Sequence, residues 1–194
     1  MTKQEASENP IRAFATAQSW HTWLEKNQAK SDGIWLRIYK KDSEKKTVTY
    51  AEALDEALCY GWIDGQKKAY DSESFLQKFT PRRPKSMWSK RNREHVLRLI
   101  KGKRMTATGQ AEIDAAKKDG RWDQAYDAPS TMTVPADFLN VLKKDKKAYE
   151  FFKTLNKANT YAIAWRLQTA KKPDTRAKRM ESLLAMLKAG KKLH

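Results

Sequence analysis

The chain has 194 residues, 40% hydrophobic content and a formal net charge of +17, and its seven Trp, seven Tyr and six Phe exclude a disordered chain. One Cys and three His provide neither a disulfide framework nor zinc-binding spacing, so we expect no metal site. The glycines are dispersed singly, which excludes the usual phosphate-binding and dinucleotide-binding loops, and we expect no cofactor. No long apolar run occurs, and residues 1–10 lack the hydrophobic segment of an export signal. We therefore expect a cytoplasmic protein with no transmembrane segment.

The first half of the chain mixes helix and strand patterns. Trp20, Trp23 and Leu24 share one face of a short helix, and Thr49 with Glu52 forms a capping box that begins a second helix. The predicted elements are a helix over 16–27, a strand over 33–40, a helix over 49–61, and strands over 62–65 and 75–79. The strands predict a small antiparallel sheet.

Helical patterns dominate from Ser86 onward. The predicted helices cover 86–103 and 109–118 and then begin at Pro135, Asp145, Asn159 and Pro173, with Asp145, Asn159 and Asp174 as caps. We therefore expect an α+β fold class. The predicted domains are an α+β N-terminal domain over 1–127, which includes a basic loop and helix over 78–104, a linker over 128–134, and an all-helical domain over 135–194.

The charge is segregated along the chain. Residues 1–75 carry 11 basic and 12 acidic side chains, residues 76–105 carry 11 and 1, residues 106–142 carry 3 and 6, and residues 143–194 carry 15 and 4. Nearly all of the positive excess therefore lies in two blocks. Such a field concentrates polyanions, anionic lipid headgroups or acidic proteins near the surface. The alternative is a solvated surface that only keeps the protein soluble.

The first basic block contains a loop that Pro81 and Pro84 stiffen. Its candidate binding residues are Arg82, Arg83, Lys85, Trp88, Lys90 and Arg91. The cations suit phosphates, while Trp88 or Phe79 would stack on a base, and this combination predicts nucleic-acid binding. In the alternative, Trp88 packs in the core and the cations lie on the surface or pair with acids from residues 1–75.

The second basic block surrounds the start of the last predicted helix. Its candidate residues are Lys171, Lys172, Arg176, Lys178 and Arg179. Backbone amides and forked guanidinium groups at this position suit a phosphate or a carboxylate, although the Asp174 side chain would occupy part of the amide site. In the alternative, Arg176 and Arg179 hold acidic groups of a neighbouring helix.

A catalytic role for Cys59 would need a base and an orienting carboxylate. His95 or His21 would serve as the base and Asp64 would orient it, but nothing in the spacing requires these residues to meet. A free Cys on an apolar helix face is usually a packing residue. We therefore predict no catalytic residues, and an enzyme that depends on Cys59 is kept as an alternative.

Four sequence blocks in order resemble a known family. They are Ala-Leu-Cys-Tyr-Gly-Trp-Ile-Asp-Gly at 57–65, Phe-Thr-Pro-Arg-Arg-Pro-Lys-Ser-Met-Trp-Ser-Lys at 79–90, Gly-Arg-Trp-Asp-Gln-Ala-Tyr-Asp at 120–127, and Ala-Lys-Lys-Pro-Asp-Thr-Arg-Ala-Lys-Arg at 170–179. Together they resemble the signature blocks of the YdeI/OmpD-associated proteins, also called bacteriocin-protection proteins. The resemblance extends over nearly the whole chain.

This resemblance implies an α+β N-terminal part, a helical C-terminal domain with the Thr-Arg-x-Lys-Arg motif at 175–179, and a bacterial or archaeal source. It implies no catalytic residue. The family names suggest envelope stress and an outer-membrane partner. We therefore expect a non-enzymatic, bacteriocin-protection-like stress protein that binds a polyanionic or acidic partner, an acidic protein or a nucleic acid, through a basic face.

Overall fold

The computed structural model describes residues 9–128 and 131–194, and the chain divides into two compact units between Ala125 and Tyr126. This division lies close to the end of the predicted N-terminal domain, 1–127. The predicted linker, 128–134, begins after it, and Pro129 and Ser130 of that linker lie outside the described residues. The predicted domain boundaries therefore stay predictions.

The first unit combines a four-stranded sheet with helices. Its elements are β1 (Ile11–Arg12), α1 (Ala17–Asn27), β2 (Ile34–Tyr39), α2 (Tyr50–Cys59), β3 (Trp62–Ala69), β4 (Ser74–Pro81), α3 (Lys90–Lys101) and α4 (Ala107–Lys118). The strand order is β1-β2-β4-β3, in which β2, β4 and β3 are antiparallel, as predicted, and β1 is parallel to β2. The two-residue β1 was not predicted, and it makes the sheet mixed. The predicted α+β fold class is confirmed.

One face of this sheet lies in the core and the other lies outside it. Ile34 and Leu36 of β2 and Phe79 of β4 belong to the core cluster that includes residues of α1 and α2. Side chains alternate between the faces along a strand, so Trp35 and its cross-strand partner Lys78 lie on the opposite face. We call this second face the outer sheet face.

The loop after β4 is longer than predicted. α3 begins at Lys90 instead of Ser86, because the Ser89 side chain caps it by accepting a hydrogen bond from a backbone amide of the first turn. The carbonyl of Ser86 is occupied by a side chain, since Arg121 Nη1 donates a hydrogen bond of 2.8 Å to it. The residues before Ser89 therefore form a loop that side chains hold in place.

The described part of the second unit is helical, as predicted. Its helices are α5 (Ala136–Leu142), α6 (Lys146–Lys153), α7 (Lys157–Gln168) and α8 (Pro173–Lys188). Its core cluster comprises Phe138, Leu142, Ala148, Ile163, Leu167, Leu183 and Leu187, which are all buried. Within the described residues, no helix of either unit has the length and apolar character needed to cross a membrane.

Two of the three predicted caps in the second unit are wrong. α7 begins after Asn156, which has extended backbone geometry and accepts the amide of Asn159 at 3.0 Å, so Asn159 lies inside the first turn. α8 begins after Lys172, and Asp174 lies in its first turn without capping it. Asp145 caps α6, as predicted.

Asn159 instead attaches the C-terminal residues to α7. Its side-chain oxygen accepts hydrogen bonds from the amides of Leu193 at 3.0 Å and His194 at 3.1 Å. Its Nδ2 atom donates to Asn156 Oδ1 at 2.9 Å. Asn159 is only 2% exposed, whereas Leu193 is half-buried and His194 is exposed, so a buried side chain holds the C-terminal residues in place.

Replacing Asn159 with Ala should lower the free energy of unfolding by about 1–3 kcal/mol, because the several hydrogen bonds that its buried side chain makes are lost. Chemical denaturation followed by circular dichroism measures this change. Asn140→Ala, at an exposed position of α5, is the matched control. Equal stability of the two variants would contradict this role of Asn159.

Candidate anion-binding surface

Two of the predicted binding residues, Arg82 and Trp88, are buried. Arg82 is 6% exposed and its Cζ atom lies 3.6 Å from the centroid of the Trp88 ring. Its Nη1 atom donates to the carbonyl oxygen of Met87 at 3.3 Å. Trp88 is 1% exposed, and its ring meets the Trp122 ring edge to face at 5.3 Å between centroids. A base has no access to the Trp88 ring, so Trp88 is not part of the candidate contact surface, and the buried Arg82 contributes only to the lining of a cavity.

The other four predicted residues of this block are exposed. They are Arg83, Lys85, Lys90 and Arg91. Lys85 has a φ of +67°, in the left-handed region that residues with a Cβ atom rarely adopt. The loop therefore keeps a Lys where Gly or Asn would be less strained, and such strain is a recurrent feature of binding sites.

Two adjacent cavities lie at the end of β4 and share Lys78, Thr80, Pro81 and Arg83. The larger measures about 570 Å³ and also contacts Asn9, Asp32, Arg82 and Pro84. The smaller cavity measures about 370 Å³. Among the described residues that line it, the charged ones are Lys78 and Arg83, which are both cations. We call the two cavities the strand-end groove. Its shape and charge suit an anionic group.

Lys78 was not among the predicted binding residues. It is separated from the proline-stiffened loop, and only the pairing of β4 with β2 brings it to the outer sheet face. The available signal was its alternation with the buried residues Gln77 and Phe79 along the strand.

A third cavity of about 220 Å³ lies between α7 and α8. Its lining comprises Arg166, Thr175, Lys178, Arg179, Ser182 and Leu183. The structure thus brings predicted residues Lys178 and Arg179 together with Arg166, which was not predicted because it belongs to another helix. Arg179 Nη1 donates to the Arg166 carbonyl oxygen at 2.7 Å and to Thr169 Oγ1 at 3.2 Å. Arg179 therefore binds a backbone carbonyl of α7, where the alternative had expected an acidic group.

The remaining residues predicted in this block do not line that cavity. Arg176 forms an ion pair with Asp137 at 2.6 Å, and the hydrogen bond from Arg176 holds the pKa of the Asp137 carboxyl below its ordinary value. Lys171 and Lys172 are exposed before α8. Arg176 therefore holds an acidic group of a neighbouring helix, which is the structural role that the alternative interpretation predicted.

Family comparisons assign the two parts of the chain separately. Residues 12–112, about half of the chain, match the family model described as Domain of unknown function (DUF8412). The chain belongs to that family. Residues 131–190 match the model of the family described as Bacteriocin-protection, YdeI or OmpD-Associated, which confirms the resemblance. Comparisons with curated proteins and with solved structures found no match.

These matches divide the four sequence blocks between the two models. The block at 170–179 lies within the bacteriocin-protection match, whereas the blocks at 57–65 and 79–90 lie within the DUF8412 match. The block at 120–127 lies between the matches. The bacteriocin-protection resemblance is therefore assigned to the C-terminal part of this DUF8412 protein, and the first basic block belongs to the other family region.

Cys59 of this DUF8412 protein lies in the core. Burial raises the pKa of its thiol to about 12, so the unreactive protonated form predominates at neutral pH. The predicted partners have other contacts: His95 Nδ1 lies 2.8 Å from Asp55 Oδ1, and Asp64 Oδ2 accepts the hydroxyl of Tyr50 at 2.8 Å.

The ring nitrogens of His21 also contact groups other than the Cys59 thiol. Its Nδ1 atom lies 2.8 Å from Glu56 Oε2, and its Nε2 atom lies 2.9 Å from the Tyr60 hydroxyl oxygen. Arg104 completes this network through an ion pair with the buried Glu56. With the histidines arranged in this way, the alternative of a Cys59-dependent enzyme has no structural support.

The native protein should react very slowly with a thiol reagent such as 5,5′-dithiobis(2-nitrobenzoate) at pH 8, because Cys59 is buried and remains protonated below its raised pKa. The same protein in guanidinium chloride is the control and should react completely within minutes. Equally fast modification of native and denatured protein would contradict the environment described for Cys59.

Proposed function

We propose that this protein is a non-enzymatic, bacteriocin-protection-like stress protein that acts in the cytoplasm by binding a polyanionic or acidic partner. The family match at 131–190 supports the protective role. The strand-end groove supports the binding activity, because Lys78 and Arg83 converge on one cavity there. This convergence is the main observation behind the proposal.

Electrostatics and backbone geometry both favour binding at this groove. Residues 76–105 carry eleven cations and one acid, so few carboxylates of the same segment neutralise them. Lys85 extends this basic surface from a left-handed conformation that costs about 1–2 kcal/mol. The Ser86 amide closes this turn by donating to the Arg83 carbonyl oxygen at 2.9 Å, which fixes the backbone at Lys85 and leaves its side chain exposed.

The cavity between α7 and α8 supports a second anion contact. Arg166, Lys178 and Arg179 are among its lining residues, and the side chains of Thr175 and Ser182 add hydroxyl groups. Its volume of about 220 Å³ suits a single phosphate-sized or carboxylate-sized group. We therefore propose the strand-end groove as the extended binding surface and this cavity as an accessory site.

Removing Arg83 and Lys85 together, as Arg83→Gln with Lys85→Asn, should weaken binding of labelled heparin and polyglutamate. Each lost contact should reduce the slope of log affinity against log salt by about one. Asn tolerates the left-handed conformation, so the double variant should keep its thermal stability. Fluorescence anisotropy at several salt concentrations measures both affinity and slope.

Lys46→Gln is the charge control, since Lys46 is exposed in the turn after β2, away from the groove at the end of β4. It should change the salt slope little. The proposal fails if neither probe binds the native protein at low salt, or if the double variant and Lys46→Gln bind with equal affinity.

A further inference from the structure

Aromatic rings and cations alternate on the outer sheet face. Lys68 Nζ lies 4.3 Å from the centroid of the Trp35 ring, and Lys78 Nζ lies 5.6 Å from it. Arg37 Cζ lies 4.5 Å from the Tyr39 ring and 5.0 Å from the ring of Tyr70, in the turn between β3 and β4. Each of these three rings therefore has a positive charge beside its face.

Sheet register puts these groups on one continuous surface. Trp35 lies opposite Lys78, and Arg37 and Lys68 both lie opposite Leu76. Trp35 and Tyr39 are four residues apart on β2, so their Cα atoms are separated by about 13 Å along the strand. Lys78 also lines the strand-end groove, so the surface is continuous with the basic loop.

We propose that the outer sheet face binds single-stranded nucleic acid, with bases stacked on Trp35, Tyr39 and Tyr70. Lys68, Lys78 and the strand-end groove contact the phosphates. This inference rests on the proposed polyanion binding and names its partner class. A paired duplex keeps its base faces stacked inside, whereas a single strand exposes them to aromatic side chains on a protein surface.

The energies favour replacement of a lysine by a base. A base stacked on an aromatic ring gains more free energy than a cation beside the ring does at an exposed site, so a base can displace the lysine. Lys68 is exposed and can move off the Trp35 ring, which is 9% exposed beneath it, and then reach a phosphate. The same side chain covers the ring in the free protein and supplies charge in the complex.

Arg37 has a different role on this surface because it is held in place. Its Nη2 atom forms an ion pair with Asp71 Oδ2 at 2.6 Å, and its Nε atom donates to Ser74 Oγ at 2.9 Å. Fixed between Tyr39 and Tyr70, it orients both rings. Tyr70 is 49% exposed, so part of it is open to solvent although Arg37 lies beside its ring.

The test compares three labelled probes by fluorescence anisotropy: oligo(dT), an abasic deoxyribose-phosphate oligomer of equal length, and duplex DNA. The abasic oligomer has the same phosphates without bases. The native protein should bind oligo(dT) most tightly. Trp35→Leu should weaken oligo(dT) binding by about 5-fold to 100-fold and leave abasic binding unchanged, because it removes stacking and keeps the charge.

Tyr70→Ala provides a second variant, at a position that is 49% exposed, and it should also weaken oligo(dT) binding selectively. Trp165→Leu is the matched control, because Trp165 is partly exposed in the second unit. The inference fails if oligo(dT) and the abasic oligomer bind the native protein with equal affinity. It also fails if the folded variants Trp35→Leu and Tyr70→Ala bind oligo(dT) as tightly as the native protein does. In both cases the proposal of polyanion binding still stands. If neither these oligomers nor heparin and polyglutamate bind, both proposals fail.

Discussion

The contact between Arg82 and Trp88 determines the form of the basic surface. A guanidinium buried against an indole gains up to about 2 kcal/mol, and its hydrogen bond to the carbonyl of Met87 closes the loop around it. Arg121 adds a second hydrogen bond, to the carbonyl of Ser86. Two buried arginines thus hold the loop against the rest of the first unit. The exposed Arg83 and Lys85 extend from this ordered loop into solvent.

This arrangement separates cations that build the fold from cations that are available to a ligand. Arg82 and Arg121 are buried, and Arg93 donates to the carbonyl oxygen of Trp122. By contrast, Arg83 lines the strand-end groove, and Lys78 joins that groove to the outer sheet face. The positive surface is therefore an ordered structure, which lowers the entropy cost of binding a flexible polyanion.

Local patterns were sufficient to predict much of the fold, because capping boxes and strand alternation depend on neighbouring residues. The capping box at Thr49 and the strand around Trp35 are examples. The candidate site was harder to predict, since charge counting treats Arg82 and Arg83 alike, and burial distinguishes them only after the chain has folded. Likewise, the sequence around Trp35 does not reveal that Lys68 and Lys78 meet its ring, because strand register decides this contact.

The most direct measurement is a titration of ¹⁵N-labelled protein with oligo(dT), in which NMR follows the indole N–H signals of the tryptophans. The structure predicts that the Trp35 signal shifts, because its ring lies on the outer sheet face. The signals of Trp88 and Trp122 should stay in place, since both rings are packed in the core. A shift of the Trp88 signal without one of Trp35, or a shift confined to Trp165, would contradict binding at this face.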